Sequence, residues 1–387
     1  MIRGIAVLFF AVLTFAGEAD DKRPVFAWTQ SRGGPGNTGE TGLVNKLKKP
    51  ELRWHRKELR GEPTLYRGLL YSGGERLTVV RPVSGIVVAE HAVEGVRFGA
   101  APLVGPDGVI ATRSDHRLVL MSHRLDRKPW ETHVGQQPGG ARWTRLTRYK
   151  DRIYGAIHQS VMAFDAKSGV LQWSRGFESP VSGKVAVDEK RVYVAAGGGE
   201  VRGLSRDTGQ QTWSHSFGGR SFGEADPVLW KESLFLTDDY GEIVNGLIRL
   251  RRANGTMLHA QWSQPAPAFT PAVQGDRVWG QIASVTGCIK PVPAANPEER
   301  KNGDGAYENQ GQPKSMNGDK TVVMITTKNG VILGTKQNKV VCFRGKAAAP
   351  AWTLRPPGVK RIDALVYDGT MLYVATDQGL FAYADGA

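Results

Sequence analysis

The stretches Met162–Trp173 (MAFDAKSGVLQW) and Gly203–Trp213 (GLSRDTGQQTW) decide the fold of this chain. Each reads as a β-strand, a polar turn that contains glycine, and a second strand that carries a tryptophan. Gly169 and Gly209 both stand four residues before the tryptophan. Because glycine tolerates the positive φ of tight turns, this spacing predicts a hairpin. Looser copies of the pattern end at Trp130, Trp262 and Trp352.

A second pattern recurs through the chain, made of an apolar stretch, a two-residue polar turn and a β-branched or aromatic strand. The second residues of its eight turns are Gly68, Gly108, Asp151, Glu189, Glu232, Asp276, Asn329 and Gly369. They are 40, 43, 38, 43, 44, 53 and 40 residues apart. A period near 40 in an all-strand sequence is typical of a β-propeller with four strands in each blade. The sequence therefore predicts eight blades.

The two ends of the chain predict how the ring closes. The last repeat, from about Arg361 to Ala387, has room for three strands and lacks a tryptophan. The missing strand, with Trp54, stands at the start of the chain in Glu51–Leu59. We expect this N-terminal strand to complete the last blade, which removes exposed sheet edges. The propeller then spans residues 51–387, and residues 20–50 form an extension that lies on the ring.

The tryptophans of the repeats have two explanations, packing or ligand binding. A single indole in a cleft would favour a ligand platform. Several indoles at one repeat position favour wedges between neighbouring blades, where each buries a large apolar area. We therefore expect a structural role for the whole set, which comprises Trp54, Trp130, Trp173, Trp213, Trp262 and Trp352.

Residues 1–19 are predicted to be a secretory signal. Arg3 supplies the positive region, Ile5–Phe15 is an uncharged apolar run, and Ala16 and Ala19 offer cleavage sites. The run is shorter than the about 20 residues that span a bilayer, and no cysteine lies near the cleavage site to carry a lipid anchor. We therefore expect an exported monomer, periplasmic or extracellular, without a transmembrane segment.

Composition and charge limit the classes of partner. The 387 residues are 40% hydrophobic and 23% charged, which argues against a disordered or multi-spanning membrane protein. The formal net charge is 51 − 37 = +14. Ten cations against four carboxylates lie in Arg113–Arg152, and seven against two lie in Leu43–Arg60. These regions are either a surface for an acidic polymer or anionic lipid, or solvated blade edges. Nucleic acid is not expected, because no recognised nucleic-acid module is present.

Two of the repeats resemble those of a known family. The D-x-x-x-G-x-x-x-W form of Asp165–Trp173 and the D-T-G-x-x-x-W form of Asp207–Trp213 are similar to pyrroloquinoline-quinone-like (PQQ-like) repeats. Phe26–Gly39 also resembles the lead-in of such propellers. The resemblance covers roughly Phe26 to the C-terminus and implies an eight-bladed propeller in an exported protein. The family includes quinone-dependent dehydrogenases, the propeller lipoprotein of outer-membrane assembly and members without known activity.

A PQQ-dependent dehydrogenase of this family implies a quinone between flat groups, a Ca²⁺ ion and a carboxylate base. The alcohol-oxidising members use a vicinal cysteine pair, which this shorter chain lacks. The densest acidic cluster, Asp238–Glu242, is either a cation site or an ordinary solvated turn. We therefore expect no catalytic, cofactor-binding or metal-binding residue and no bound PQQ.

Two further features of the sixth and seventh repeats have open interpretations. Cys288 and Cys342 fall in consecutive repeats and can form a disulfide if their Cα atoms lie within about 7 Å. Residues 285–319 are predicted to be an irregular insertion that overhangs one mouth of the central channel. Long loops on rigid scaffolds often carry binding function, although a plain surface excursion explains the composition equally.

The sequence thus favours a non-catalytic PQQ-like propeller that serves as a binding or scaffold module in the cell envelope. We expect its partner to be a protein or an acidic polysaccharide. The alternative is a PQQ- and Ca-dependent oxidoreductase of reduced size.

Overall fold

The structure is a computed structural model that describes most of the chain after the first 26 residues. The described residues are 27–99, 101–135, 142–218, 221–222, 226–237, 245–263, 270–282, 285–291, 307–309, 319, 321–345 and 349–386. Within the strands, the side chains of residues 245–246, 259–263, 281–282, 285–291 and 307–309 are also outside the description. The predicted signal, residues 1–19, and the acidic cluster Asp238–Glu242 both lie outside the described residues.

The described chain consists almost entirely of short strands. The first sixteen are β1 (Pro50–Arg56), β2 (Thr64–Tyr66), β3 (Leu69–Ser72), β4 (Leu77–Val80), β5 (Val87–His91), β6 (Leu103–Gly105), β7 (Gly108–Thr112), β8 (Arg117–Met121), β9 (Trp130–His133), β10 (Thr147–Tyr149), β11 (Arg152–Ile157), β12 (Ser160–Asp165), β13 (Leu171–Gly176), β14 (Ala186–Val187), β15 (Arg191–Ala195) and β16 (Glu200–Ser205). The others are β17 (Gln211–Ser216), β18 (Val228–Trp230), β19 (Ser233–Thr237), β20 (Asn245–Arg251), β21 (Met257–Ser263), β22 (Ala272–Gln274), β23 (Arg277–Ile282), β24 (Val285–Pro291), β25 (Tyr307–Asn309), β26 (Thr321–Thr327), β27 (Gly330–Thr335), β28 (Val340–Arg344), β29 (Trp352–Leu354), β30 (Ile362–Tyr367), β31 (Leu372–Thr376) and β32 (Gly379–Asp385). A 3₁₀ turn spans Ser31–Gly33, and no helix in the described ranges has the length and apolar character to cross a membrane.

The strands form eight four-stranded sheets with antiparallel pairing. Seven of these sheets, blades 1 to 7, each use four consecutive strands, starting with β2–β5 and ending with β26–β29. Blade 8 has the strand order β1-β32-β31-β30. The first strands of several neighbouring blades contact one another, such as β2 with β6 and β26 with β30, so these strands line the centre. The predicted all-β propeller with four-stranded antiparallel blades is confirmed.

The eight predicted polar turns each connect the first strand of a blade to its second. In blade 1, Arg67 and Gly68 have φ values of 48° and 71°. Positive φ at both central residues is what a type I′ hairpin turn requires, and its twist matches that of the flanking strands. In blade 1 these two residues therefore encode the hairpin between the first and second strands.

One contact between a tryptophan and a glycine is repeated at several blade boundaries. Trp173 lies over Gly209 in the next blade, where an added Cβ would stand 2.6 Å from the indole ring. The indole Nε1 of Trp173 donates to the Arg206 carbonyl at 3.0 Å, and the ring packs against Tyr154 with centroids 6.0 Å apart. The same ring-over-glycine contact joins Trp54 to Gly85, Trp130 to Gly169 and Trp213 to Gly255.

Two predicted blade tryptophans differ from this arrangement. Trp352 is buried, but its Nε1 has no acceptor among the described residues. In blade 5, His259 holds the register position that Trp173 holds in blade 3. Trp262 lies three residues further along the strand, opposite Gly246. The side chain of Trp262 is not among those described, so its role as a wedge stays a prediction.

The first and last strands of the chain pair with each other. β1 runs antiparallel to β32, from Pro50 opposite Asp385 to Arg56 opposite Leu380. The Asp385 carboxylate also accepts hydrogen bonds from the main-chain amides of Lys48 and Lys49, at 2.7 and 2.8 Å. A side chain thus holds the two chain ends together at the place where other blades have a covalent turn.

Two parts of the predicted irregular insertion, residues 285–319, are regular strands. Residues 285–291 form β24 and residues 307–309 form β25, the third and fourth strands of blade 6. Cys288 lies opposite Trp279 in the same register as the other third strands. Pairing in the sheet satisfies the main-chain groups of these residues, and their glycine, proline and asparagine content concealed it. Residues 292–306 lie outside the described residues.

The contact of Trp173 with Gly209 gives a stability prediction. We expect Gly209→Ala to lower the free energy of unfolding by about 2–4 kcal/mol, since the Cβ meets the indole ring and the φ of 67° is unfavourable for alanine. Gly95→Ala is the matched control, because its φ is 69° and nothing lies within 4 Å of its Cβ position. We expect it to cost about 1 kcal/mol. Equal losses in urea unfolding would show that the indole contact contributes nothing.

Candidate functional site

Residues 27–47, which we call the channel segment, contact the first strand of every blade in order. The hydrogen-bonded pairs are Trp28 with Leu65, Thr29 with Val104, Gln30 with Arg148, Pro35 with Val187, Gly36 with Leu229, Thr38 with Val273, Gly39 with Thr326 and Val44 with Tyr367. Their donor–acceptor distances run from 2.8 to 3.3 Å. All eight partners hold the same register position in their strands.

The channel segment refines the expectation that residues 20–50 lie on the ring. Its main chain runs along the innermost strands, and its residues Trp28, Ser31 and Asn37 are buried. Innermost strands have free edges whose N–H and C=O groups need partners, and the channel segment supplies them. Its glycine-rich stretch Gly34–Gly39 is therefore a structural turn region.

Four charged residues stand at one equivalent position, two residues before the first strand of their blades. They are Glu62 in blade 1, Arg145 in blade 3, Lys184 in blade 4 and Asp226 in blade 5. Lys184 and Asp226 are fully buried, and Glu62 is 5% exposed. The strand registers therefore collect these charges around the channel, although neighbouring members of the set are 83, 39 and 42 residues apart in the sequence.

A fifth charge, Arg32 of the channel segment, reaches across to the opposite blades. Its Nη1 donates to the Met324 carbonyl at 2.7 Å, and its Nη2 donates to the Pro271 carbonyl. Its main-chain N–H donates to Glu62 at 2.9 Å. Arg32 therefore fills the channel axis and connects blades 6 and 7 to blade 1.

The remaining charges are held by hydrogen bonds to the protein. Lys184 Nζ donates to the carbonyls of Ser31 at 2.6 Å and Gly34 at 3.2 Å. The Asp226 carboxylate accepts from the Lys184 amide at 2.7 Å and from Arg145 Nη2 at 2.9 Å. The side chain of Lys184 thus anchors the channel segment, while its main chain anchors the carboxylate beside it.

Burial shifts the titration of the two central cations. It lowers the pKa of Lys184 to about 7, although the negative charges of Asp226 and Glu62 act in the opposite sense. Burial likewise lowers the pKa of Arg32 to about 10. The second oxygen of Asp226 and the Oδ1 of Asn37 are buried without a hydrogen-bond partner. The channel therefore holds a polar cluster whose balance depends on the charge of Lys184.

This cluster does not fit the cofactor of the quinone-dependent members of the PQQ-like group. A quinone site needs room between two flat groups and oxygen ligands for a cation, whereas Arg32 occupies the axis and protein donors bind Glu62 and Asp226. Within the described part of the chain, no group of three or more His, Cys, Asp and Glu side chains could hold a metal ion. No catalytic step is therefore derived from this channel.

The basic region Arg113–Arg152 does not form one unpaired patch. Seven of its ten cations form ion pairs, namely Arg113 with Asp115 and Glu131, Arg117 with Asp115 and Glu131, Lys128 with Glu131, Arg145 with Asp226, Arg148 with Asp107, Lys150 with Glu189 and Arg152 with Asp207. Arg124 and Arg127 are exposed beside Asp126. The second basic region includes β1, where Arg53 donates to the Asp385 carbonyl. Strand pairing thus disperses charges that are close in sequence.

The two cysteines lie at one repeat position in blades 6 and 7. Cys342 lies opposite Trp352 on β28 and is buried, with its sulfur 3.1 Å from the Nδ2 donor of Asn45. Burial raises the pKa of Cys342 to about 11. The side chain of Cys288 lies outside the described residues, so the disulfide stays a prediction.

Sequence reasoning missed the charged cluster of the channel. Glu62, Arg145, Lys184 and Asp226 belong to four different repeats and form no local motif. The signal that could have found them is their shared offset from the first strand of each blade, two residues before it. That offset is visible only after the short first strands have been aligned.

The pKa of Lys184 predicts a pH-dependent stability. Between about 7 and the ordinary value of 10.5, the unfolded chain holds this proton more tightly than the folded chain. The free energy of unfolding therefore rises with pH, by at most about 1.4 kcal/mol per pH unit. We expect Lys184→Met to lose this rise in urea unfolding at pH 7, 8 and 9. Lys190→Met, at an exposed lysine, should keep it, and identical pH profiles for the two variants would contradict the assignment.

The buried thiol gives a second prediction. In a Cys288→Ser variant, we expect Cys342 to react with iodoacetamide at pH 8 about a hundredfold more slowly when folded than in urea, since its raised pKa leaves little thiolate. The unfolded, unreduced wild-type protein should titrate two thiols. A titration of none would establish the disulfide with Cys288.

Comparison with known proteins places the chain in a family. The family described as "Outer membrane protein assembly factor BamB" matches residues 158–383. No curated protein matches the chain by sequence. Among solved structures, BamB from Moraxella catarrhalis has a TM-score of 0.63 at 12% identity, covering 89% of this chain and all of that one.

Enzymes share the same fold. A europium-containing methanol dehydrogenase has a TM-score of 0.66 at 11% identity, covering 91% of this chain and 89% of its own. The quinohemoprotein alcohol dehydrogenase from Comamonas testosteroni has a TM-score of 0.67 at 12% identity, covering 94% and 81%. At these identities the similarity shows the fold alone. Because the matched residues 158–383 make up more than half of the sequence, the chain belongs to the BamB family of PQQ-like β-propellers.

Proposed function

We propose that this chain is an exported, non-catalytic propeller that binds a partner protein on its outer surface and serves as a scaffold in the cell envelope. The channel segment carries this proposal. Its contacts with all eight first strands, together with Arg32 on the axis, use the central channel for the chain's own packing. Binding then falls to the outer surfaces of the blades, as in a protein-recognition module and unlike a cofactor enzyme.

The scaffold is an eight-bladed ring closed by β1. The ordered contacts of the channel segment with eight successive sheets support this arrangement. The contact between Trp54 of β1 and Gly85 of blade 1 supports it as well, because it is the contact that joins other neighbouring blades. Such closure leaves no open boundary between the first and last blades.

Export and a protein partner follow from the leader pattern and the family. Residues 1–19 have the charge and apolar pattern of a secretory signal. The family is named after an outer membrane protein assembly factor, and assembly of other proteins implies contact with them. An acidic polysaccharide is a weaker partner, since ion pairs occupy most cations of Arg113–Arg152.

The alternative function is a PQQ- and Ca-dependent oxidoreductase of reduced size. The structural similarity to two quinoprotein dehydrogenases favours it. Its cation site would be Asp238–Glu242, which connects β19 to β20 and lies outside the described residues. The described channel cluster does not support this alternative, because protein groups already bind Arg32, Glu62 and Asp226.

A titration of the mature protein with PQQ, with and without Ca²⁺, separates the two functions. We expect no saturable binding and no dye-coupled oxidation of alcohols or sugars, because the channel offers no space between flat groups. The control is an authentic quinoprotein dehydrogenase treated identically. Calcium-dependent binding with turnover would overturn the scaffold proposal.

Site-specific cross-linking in intact cells tests the scaffold directly. A photoreactive residue placed at exposed positions on different blades, such as Arg127 and Lys167, should give a discrete protein adduct from at least one of them. Periplasmic fractionation of the same cells tests export. Absence of any adduct from positions spread over all blades would contradict a scaffold role.

A further inference from the structure

The boundary between blades 1 and 2 departs from the tryptophan–glycine contact of other boundaries. Ala89 of β5 holds the register position that Trp173 holds in blade 3. In the facing turn of blade 2, the residue with positive φ is Leu125, at 58°, and not a glycine. A large ring over a bare glycine is thus replaced by a methyl group beside a leucine side chain, with unfavourable φ retained at the leucine.

A groove lies at this boundary, beside the position where the other boundaries have the indole. A cavity of about 440 Å³ lies here, with Val93, Met121 and Leu125 among its lining residues. A second, larger cavity of about 840 Å³ adjoins it, since Asp126 and Lys128 line both. We call the two together the blade 1–2 groove. Met121 and Leu125 are 2% and 4% exposed and form an apolar floor. Apart from Val93, the other lining residues of the first cavity are His91 and six charged side chains.

At one end of the groove the charged side chains are paired with one another. At the other end two arginine side chains are exposed. Arg113 bridges Asp115 at 2.6 Å and Glu131 at 3.0 Å, and Lys128 also bonds to Glu131 at 2.7 Å. These bonds hold the rim beside the first cavity. In the second cavity, Arg124 and Arg127 are exposed beside Asp126. Its other carboxylate, Asp107, is paired with Arg148 at 2.6 Å. The turn Ser122–Pro129 carries three cations and one carboxylate, a charge of 3 − 1 = +2.

We propose that the blade 1–2 groove binds an extended acidic segment of a partner protein, anchored by one apolar side chain. This proposal rests on the proposed scaffold function and names its recognition site. The apolar side chain enters the cavity over Met121 and Leu125. Carboxylates that flank this anchor pair with Arg124 and Arg127.

Two observations favour a protein segment over a polysaccharide. The floor of Met121 and Leu125 stabilises only an apolar group, which acidic polysaccharides lack. Among the described strands, β5 pairs with β4 alone, and its last residue, His91, lines the first cavity. The other edge of β5 presents main-chain donors and acceptors, which an extended peptide can pair with.

The test measures binding of a fluorescently labelled peptide, Ac-EDEFEDE-amide, to the full mature protein. We expect saturable binding that weakens at high salt. A matched peptide with alanine in place of phenylalanine should bind about tenfold more weakly, because it loses the burial of the ring. No saturable binding, or equal binding of the two peptides, would overturn the proposal without any protein variant.

Two protein variants test the two ends of the groove. Arg124→Glu/Arg127→Glu should weaken the peptide about tenfold or more through charge repulsion. Its matched control is Lys167→Glu/Lys190→Glu, the same charge change at exposed lysines of blades 3 and 4, which should leave binding unchanged. Ala89→Trp/Leu125→Gly restores the repeated contact, removes one of the two floor residues and should abolish binding while thermal unfolding stays cooperative.

The outcomes separate this proposal from the scaffold function. Equal effects of the two charge variants, or displacement of the peptide by polygalacturonate at matched carboxylate concentration, would reduce the groove to a general polyanion surface and overturn the proposal. An in-cell adduct from Lys167 but not from Arg127 would keep the scaffold function and reject the groove. Calcium-dependent PQQ turnover would instead remove the scaffold function itself.

Discussion

The row of hydrogen bonds between the channel segment and the eight first strands is the constraint on which the rest of the structure depends. In a repeat architecture each unit ordinarily contacts only its neighbours. Here one continuous stretch, from Trp28 to Val44, bonds to every blade at the same register position. The number of blades, the spacing of their inner strands and the path of the N-terminus are thereby coupled. Loss of one inner contact is therefore felt by the whole ring.

The buried charges of the channel favour one path of the channel segment over other paths. Charges removed from water are costly, and they stabilise a fold only when they are well paired. Lys184 and Arg32 donate hydrogen bonds to main-chain carbonyls, while Glu62 accepts a hydrogen bond from the main chain of the channel segment. A segment shifted by one residue would leave these groups unpaired. The cluster therefore selects one register of the segment, at some cost in stability.

The sequence revealed the parts of the fold that local chemistry encodes. Hairpins are predicted by turn pairs such as Arg67-Gly68 and by the spacing of Gly209 before Trp213, because positive φ and a tight turn need particular residues. The charged set of Glu62, Lys184 and Asp226 could not be recognised, since it exists only after distant repeats are superposed. The composition of β24 did not indicate a strand. The equivalence of Ala89 with Trp173 could be recognised only from the strand register.

The repeated tryptophan–glycine contact also makes the boundary between blades 1 and 2, where it is missing, informative. Trp173 over Gly209 is a packing device because the same pair recurs at other boundaries, and a recurrent residue carries no information about a particular partner. Ala89 and Leu125 change both members of that pair together, yet the boundary keeps an open cavity and an unfavourable φ. A chain under selection for stability alone would restore the indole and the glycine, as it does elsewhere. The retained departure, with Arg124 and Arg127 beside it, therefore marks the surface of the ring where recognition of another molecule is the better physical explanation.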